Sequence, residues 1–280
     1  MSANQNLAAS LRAPRTESGP RDYILDLFGS FVRDYGGWVA VADLLALLQS
    51  LGVAETSGRS ALSRMKRQGE IDAVSRGSVR GYSLTDTSEQ WFADGTERIM
   101  KGAPARPDDL WVLATFTVPE DVRKLRYQIR TRLGDLGFGQ VSGGLMIAPA
   151  AILDETVRAL ERADLTEYVD LWQSQHIGFM AMEDVVASAW DLPMIEAEYR
   201  EYLDHAASLD ANGTPDDDET AFVTYVQHIH AWRELPFIDP GIPACYVPDD
   251  WPAAEARTTF ARISTELRAG AWRYFVGVAS

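Results

Sequence analysis

The sequence is poor in the residues that build metal, redox and nucleophilic sites. It holds one cysteine, Cys245, which excludes an internal disulfide and a multi-cysteine zinc site and suits a reducing cytoplasm. Its four histidines are His176, His205, His228 and His230. On one helix the last two lie about 200° apart, so they cannot share a metal as an i, i+4 pair would. There is no G-x-x-x-x-G-K phosphate loop and no G-x-S-x-G elbow. Asp216 to Glu219 lacks the alternating spacing and closing Glu of a calcium loop, so it reads as a solvated loop lending charge to a helix start. Long apolar runs are missing too: the longest, Trp38 to Val53, is interrupted by Asp43 and Gln49 and is too short to span a bilayer. Residues 1–20 have no apolar centre and read as a disordered tail, neither secretory signal nor anchor. The expectation is a soluble cytoplasmic protein without membrane, metal, cofactor or catalytic activity.

Positive charge is also scarce, with 26 Lys and Arg against 41 Asp and Glu and a net charge of −15. The scarcity is uneven. Residues 1–101 hold twelve charges of each sign, whereas the remaining 179 hold 14 basic and 29 acidic residues and carry the whole −15. Within the neutral part, Thr56 to Gly81 has six basic and two acidic residues. At 100° per residue, Gly58, Ala61, Leu62 and Met65 share one side of a helix. Arg59, Ser60, Ser63, Arg64, Lys66 and Arg67 take the rest. A helix packed through its apolar side would hold guanidinium and hydroxyl groups out towards phosphates and base edges.

The surroundings predict how that helix is presented. Tyr23 to Tyr35 is helical and ends at Gly36-Gly37; Trp38-Val39 is a short extended piece; a second helix carries Leu44, Leu45, Leu47, Leu48 and Leu51. After the basic helix, Ile71 to Leu84 reads as two strands around a glycine-bearing turn. This order is that of a winged helix-turn-helix. Arg59, Ser60, Ser63 and Arg67 are expected in the major groove of double-stranded operator DNA, Arg64 and Lys66 on flanking phosphates, and Arg76 and Arg80 in the wing.

A polar helix from Asp86 to Met100 and a Gly/Pro linker to Asp109 lead into a middle region. Strand Leu110–Val118, helix Glu120–Leu136, strand Phe138–Ala148 broken at Gly143-Gly144, helix Ala150–Ala163 and strand Tyr168–Ile177 suggest a ferredoxin-like α/β unit. From Met182 the pattern is helical. The fold class expected is α+β multidomain, with boundaries at 1–20 (tail), 21–102 (winged helix and connecting helix), 103–180 (ferredoxin-like) and 181–280 (helical, for dimerisation and effector binding).

Three segments together resemble the PaaX family, repressors of phenylacetic acid degradation. The first is Gly37-Trp-Val with Gly52-Val, Arg59-Ser-Ala-Leu-Ser-Arg-Met and Gly69. The second is Gly137-Phe-Gly with Gly144-Leu-Met-Ile-Ala-Pro149. The third is Ala189-Trp-Asp-Leu192, Tyr199, His230-Ala-Trp-Arg233, Asp239-Pro240, Pro243, Pro248-Asp-Asp-Trp-Pro252 and Ala256-Arg257. Gly58 and Glu70 depart from the family pattern, which has a larger apolar residue and an aromatic there. The resemblance implies a homodimeric repressor that releases its operator on binding an aryl-CoA thioester such as phenylacetyl-CoA. The C-terminal aromatics Trp190, Trp232 and Trp251 could line a pocket for the aromatic acyl group, with Arg233 and Arg257 for phosphate or carboxylate; each could equally be core or an ion-pair partner. The competing reading is a nucleic-acid-processing or acyl-CoA-hydrolysing enzyme with an appended winged helix. The strand Leu110–Val118 has no Asp near its end to hold a nuclease metal.

Overall fold

The computed structural model describes residues 19–102, 105–106, 110–119 and 123–280. Most of the expected tail, part of the 101–109 linker and the start of the helix expected from Glu120 lie outside the described residues. The chain is α+β and divides into two compact units built from non-adjacent segments: 1–100 with 202–234 and 255–280, and 101–201 with 235–254.

In the first unit, α1 (Pro20–Leu27) runs into a π-helical turn at Phe28–Val32. Strand β1 (Trp38–Ala40), α2 (Val41–Ser50) and α3 (Glu55–Arg67) follow, then a hairpin of β2 (Ile71–Arg76) and β3 (Val79–Leu84), and α4 (Asp86–Lys101). The three strands form one antiparallel sheet in the order β1-β3-β2. Arg76 pairs with Val79 across a two-residue turn, where Gly77 has φ 61°, a conformation such tight hairpins need and side chains resist. The basic helix ends at a glycine: Gly69, at φ 72°, lets the Glu70 amide reach back to the Met65 carbonyl at 3.0 Å in the manner of a C-terminal glycine cap.

The same unit takes in α9 (Asp218–Trp232) and α11 (Ala253–Val278), and the π-turn is what they grip. Phe31 stacks on Phe275 at 5.0 Å and meets Phe222 and Tyr225 at 5.5 and 5.6 Å. The Arg268 guanidinium donates to the Ser30 carbonyl at 2.6 Å and to Asp34 at 3.0 Å. It also lies 5.3 Å above the Phe31 ring, so one side chain meets both a backbone acceptor of the turn and its aromatic anchor. Asp217 caps α9, accepting from the Thr220 amide at 2.7 Å, and Asp218 is bonded to Arg273 at 2.6 and 2.9 Å. The acidic loop therefore serves the helix N-terminus and a cross-helix ion pair.

The second unit contains β4 (Trp111–Phe116), α5 (Arg123–Asp135), β5 (Gly139–Ser142), β6 (Leu145–Pro149), α6 (Leu153–Arg162) and β7 (Val169–Ser174). The break at Gly143-Gly144 is the turn between β5 and β6, and the sheet order is β5-β6-β4-β7, antiparallel throughout. Alternate residues Val112, Ala114 and Phe116 of β4, with Met146 and Ala148 of β6, join Ile129, Leu133, Ala159 and Leu160 of the helices in one core, as a period of two requires. Beyond it lie α7 (Met182–Ala189), the first part of α8 (Leu192–Asn212) and the short α10 (Leu235–Ile238).

Candidate nucleic-acid interface

The four residues that spacing assigns to the apolar side of α3, Gly58, Ala61, Leu62 and Met65, are its four buried ones. Gly58 shows why that helix has no larger residue at this position. A Cβ there would stand 2.9 Å from Leu45 Cδ2 and 3.2 Å from Leu48 Cδ1, closer than packed carbons sit, so α3 rests directly on α2. The other departure, Glu70, is 1% exposed and receives two hydrogen bonds from Arg21, at 2.8 and 3.1 Å. That bidentate pair fastens the start of α1 to the end of the basic helix.

The polar face of α3 is exposed over Arg59, Ser60, Ser63, Arg64, Lys66 and Arg67. These side chains are not equally available. Arg59 is held by Glu55 one turn earlier, at 2.7 Å, and the Ser60 hydroxyl donates to the Thr56 carbonyl at 2.8 Å. Arg64, Lys66 and Arg67 form no ion pair among the described residues. In the hairpin, Arg80 is exposed and equally unpaired, whereas Arg76 lies 4.8 Å over the Trp38 ring and donates to the Gly36 carbonyl at 3.3 Å. Trp38 is seated by a close approach: a Cβ on Gly81 would fall 2.3 Å from its ring, and its indole N–H donates to the Val74 carbonyl at 3.0 Å. On α3 and the hairpin, Arg64, Lys66, Arg67 and Arg80 thus stay unpaired among the described residues, an uncompensated positive face on an acidic chain.

The residues considered for an effector fall in both units. Trp190 and Trp251 belong to the second; Trp232, Arg233 and Arg257 belong to the first. Trp190 is buried against Gly139, where a Cβ would come within 2.8 Å of its ring, and its indole N–H donates to the Gly137 carbonyl at 3.0 Å. Trp232 stacks on Phe260 at 4.6 Å and donates to the Ile99 carbonyl at 3.0 Å. Both indoles have the packing of core residues. Trp251, half-buried, meets Tyr199 edge-on at 6.3 Å, and Arg257 is half-buried on α11.

Arg233, 2% exposed, donates to Asp26 at 3.0 Å and Asp22 at 3.2 Å, and His230 Nδ1 lies 2.8 Å from the other oxygen of Asp26. The segment His230-Ala-Trp-Arg233 is therefore a clamp on α1. His228, on the other side of α9, is buried against Phe260 with Nε2 at 3.2 Å from the Phe260 carbonyl and from Ser264 Oγ. Burial pulls its pKa down to about 4. In the second unit, Asp239 plays a similar joining part: it accepts from the Tyr199 hydroxyl at 2.8 Å and from the Gly241 and Ile242 amides at 2.9 Å. Sequence reasoning had no signal for Asp22 and Asp26, whose partners lie more than 200 positions away. Among the described residues no group of three or more His, Cys, Asp or Glu side chains is arranged to hold a metal, and no helix is long and apolar enough to cross a membrane.

An α+β protein whose helix α3 carries a cationic face without ion-pair partners among the described residues, fastened through its first helix to an acidic helical region, has the layout of a nucleic-acid-binding regulator. The chain belongs to the PaaX family. Residues 20–88 match the PaaX-like protein family, 104–186 the PaaX protein central Cas2-like domain and 190–277 the PaaX-like protein C-terminal domain. The transcriptional repressor PaaX of Escherichia coli K12 is 26% identical over 242 residues, covering 84% of this chain and 76% of the relative. Among solved structures, the uncharacterized protein Rv0674 from Mycobacterium tuberculosis shares the fold, with a TM-score of 0.55 at 23% identity over 90% of this chain and 97% of that one.

Proposed function

We propose that this chain is a cytoplasmic, homodimeric transcriptional repressor that binds operator DNA through α3 and controls a phenylacetate-type catabolic operon. The observation that carries the reading is the exposed set Arg64, Lys66, Arg67 and Arg80, left without carboxylate partners among the described residues on a chain of net charge −15. In this reading residues 21–102 are a winged helix-turn-helix with α3 in the major groove, Arg59, Ser60, Ser63 and Arg67 at base edges and Arg64 and Lys66 at phosphates. The hairpin is the wing, carrying Arg80 and, on Trp38, Arg76. The element order strand, helix, strand, strand, helix, strand and the sheet order β5-β6-β4-β7 support a ferredoxin-like reading of residues 103–180; residues 181–280 serve dimerisation and effector binding. Two-fold operators favour the dimer.

The effector in this reading is an aryl-CoA thioester such as phenylacetyl-CoA. The resemblance of the chain to its family supports it. The test is fluorescence anisotropy on DNA from the chain's own promoter region, with a salt series and a panel of acyl-CoAs. Specific, salt-dependent binding is expected, weakened by one thioester of the panel. Equal affinity for unrelated DNA at every salt concentration would overturn the repressor reading, and indifference to every thioester would overturn the effector.

A further inference from the structure

A cavity of about 140 Å³ lies within the first unit, between α1, α4, α9 and α11. Its walls are mainly apolar; Gly29 of the π-turn, Phe92, Gly95 and Ile99 of α4, and Ile229 of α9 supply the parts that matter here. Two glycines line it: Gly29 packs closely on the wall, where a Cβ would stand 3.3 Å from the Phe92 ring, and Gly95 faces the void from a helix interior, where glycine costs about 1 kcal/mol against alanine. A π-turn forms one wall, and such turns commonly mark functional places in helices.

The cavity also has a polar corner. Arg233 lines it, with its terminal nitrogens engaged by Asp22 and Asp26, while its buried Nε–H finds no hydrogen-bond acceptor among the described residues. A buried donor without a partner is costly, and an acceptor supplied by a ligand would relieve it. The other charged groups on the wall, Asp26, Asp34 and Arg268, already have partners, and the two aspartates near Arg233 disfavour an anion. An apolar void of about 150 Å³ is the size that takes a benzene ring.

We infer that this cavity is a binding site for a neutral, single-ring apolar molecule bearing one hydrogen-bond acceptor, to which the Arg233 Nε–H donates. The occupant touches α1 at the π-turn, and α1 is packed on α3 and bonded to its end through Arg21 and Glu70. Occupation therefore biases the DNA-binding face, a coupling that rests on the repressor reading above; the binding site itself does not.

The probe is benzyl alcohol, with toluene as the comparison lacking an acceptor, titrated into the full chain by ligand-observed NMR and calorimetry. The expected result is saturable binding of benzyl alcohol, weaker for toluene, and abolished in Gly95→Leu and Ile229→Phe, two independent substitutions that fill the void and whose folding is checked by thermal melting. In DNA titrations at fixed salt, saturating benzyl alcohol should change the affinity of the unsubstituted protein by about fivefold or more and leave the filled variants unmoved. Absence of saturable binding, or binding that survives both filling substitutions, overturns the site. Binding that is lost on filling but leaves DNA affinity unchanged overturns the coupling. A protein that binds no DNA overturns the repressor reading, with the cavity still judged by NMR alone.

Discussion

Arginine is used in two opposite ways in the first unit. On α3, Arg64 and Arg67 are exposed and have no ion-pair partner among the described residues. On α9 and α11, Arg233, Arg262, Arg268 and Arg273 each bond a carboxylate, Asp22 and Asp26, Asp210, Asp34 and Asp218 respectively. The acidic excess of the chain is thus partly spent on neutralising its own cations in the helical region, while the basic helix is spared. Where a carboxylate is withheld, a positive charge remains for a polyanion; where one is supplied, the same residue becomes a fastener.

The sharpest break in that comparison is Arg233→Leu. It strands Asp22 and Asp26 in a buried place, and removing one partner of a buried pair costs about 3–5 kcal/mol. Chemical denaturation should show a loss of that order, against a change within about 0.5 kcal/mol for Arg67→Ala, as for ordinary surface substitutions. Equal, small effects at both positions would erase the distinction.

His228 gives a second contrast, between a group kept neutral by burial and the charges around it. Its pKa in the folded chain is about 4 against 6.5 for a free imidazole, so the unfolded chain takes up the proton first. The neutral-state stability is complete above pH 6.5 and drains away as pH falls towards 4, by at most about 3 kcal/mol from this group. Denaturation midpoints measured across that window should fall more steeply for the unsubstituted protein than for His228→Gln. Parallel curves would show that the imidazole does not contribute.

Local pattern made part of this legible. The apolar side of α3 and the glycine-bearing hairpin turn rest on spacing within a few residues, which a sequence displays directly. The clamp on α1 was not readable, because Arg233 and Asp26 are separated by 207 positions and nothing in either neighbourhood names the other. For the same reason Trp232 read as a pocket candidate when its indole N–H is bonded to the Ile99 carbonyl. The π-turn was also hidden: Phe28 to Val32 keeps ordinary helical spacing, and the wider turn shows in the backbone, where the Arg33 amide reaches the Phe28 carbonyl. The gathering of residues up to 100, 202–234 and 255–280 into one compact unit likewise rests on pairings between distant positions that no local pattern displays.

On the DNA side, Arg67→Ala should weaken specific binding by about 1–3 kcal/mol if Arg67 reads a base. Substituting Lys66 should instead lower affinity for all sequences alike and reduce the salt slope by about one. Anisotropy titrations on specific and unrelated DNA at several salt concentrations separate the two. Identical profiles for both variants would mean that neither residue is placed as proposed.

The smallest effect tests the one exception on α3. Arg59 is paired with Glu55 at 2.7 Å, so within the basic helix a single arginine is employed as the C-terminal arginines are. An exposed pair one turn apart contributes only about 0.3–0.5 kcal/mol, and the carboxylate would sit beside the phosphates that the neighbouring cations attract. Glu55→Gln should therefore leave thermal stability nearly unchanged, tighten DNA binding by a few tenths of a kcal/mol to about 1 kcal/mol at low salt, and lose that gain as salt rises. Weaker binding instead would show that Glu55 positions Arg59 for the base edge. The pair would then be part of the reading surface, and the division between free and fastened arginines would run through α3 itself.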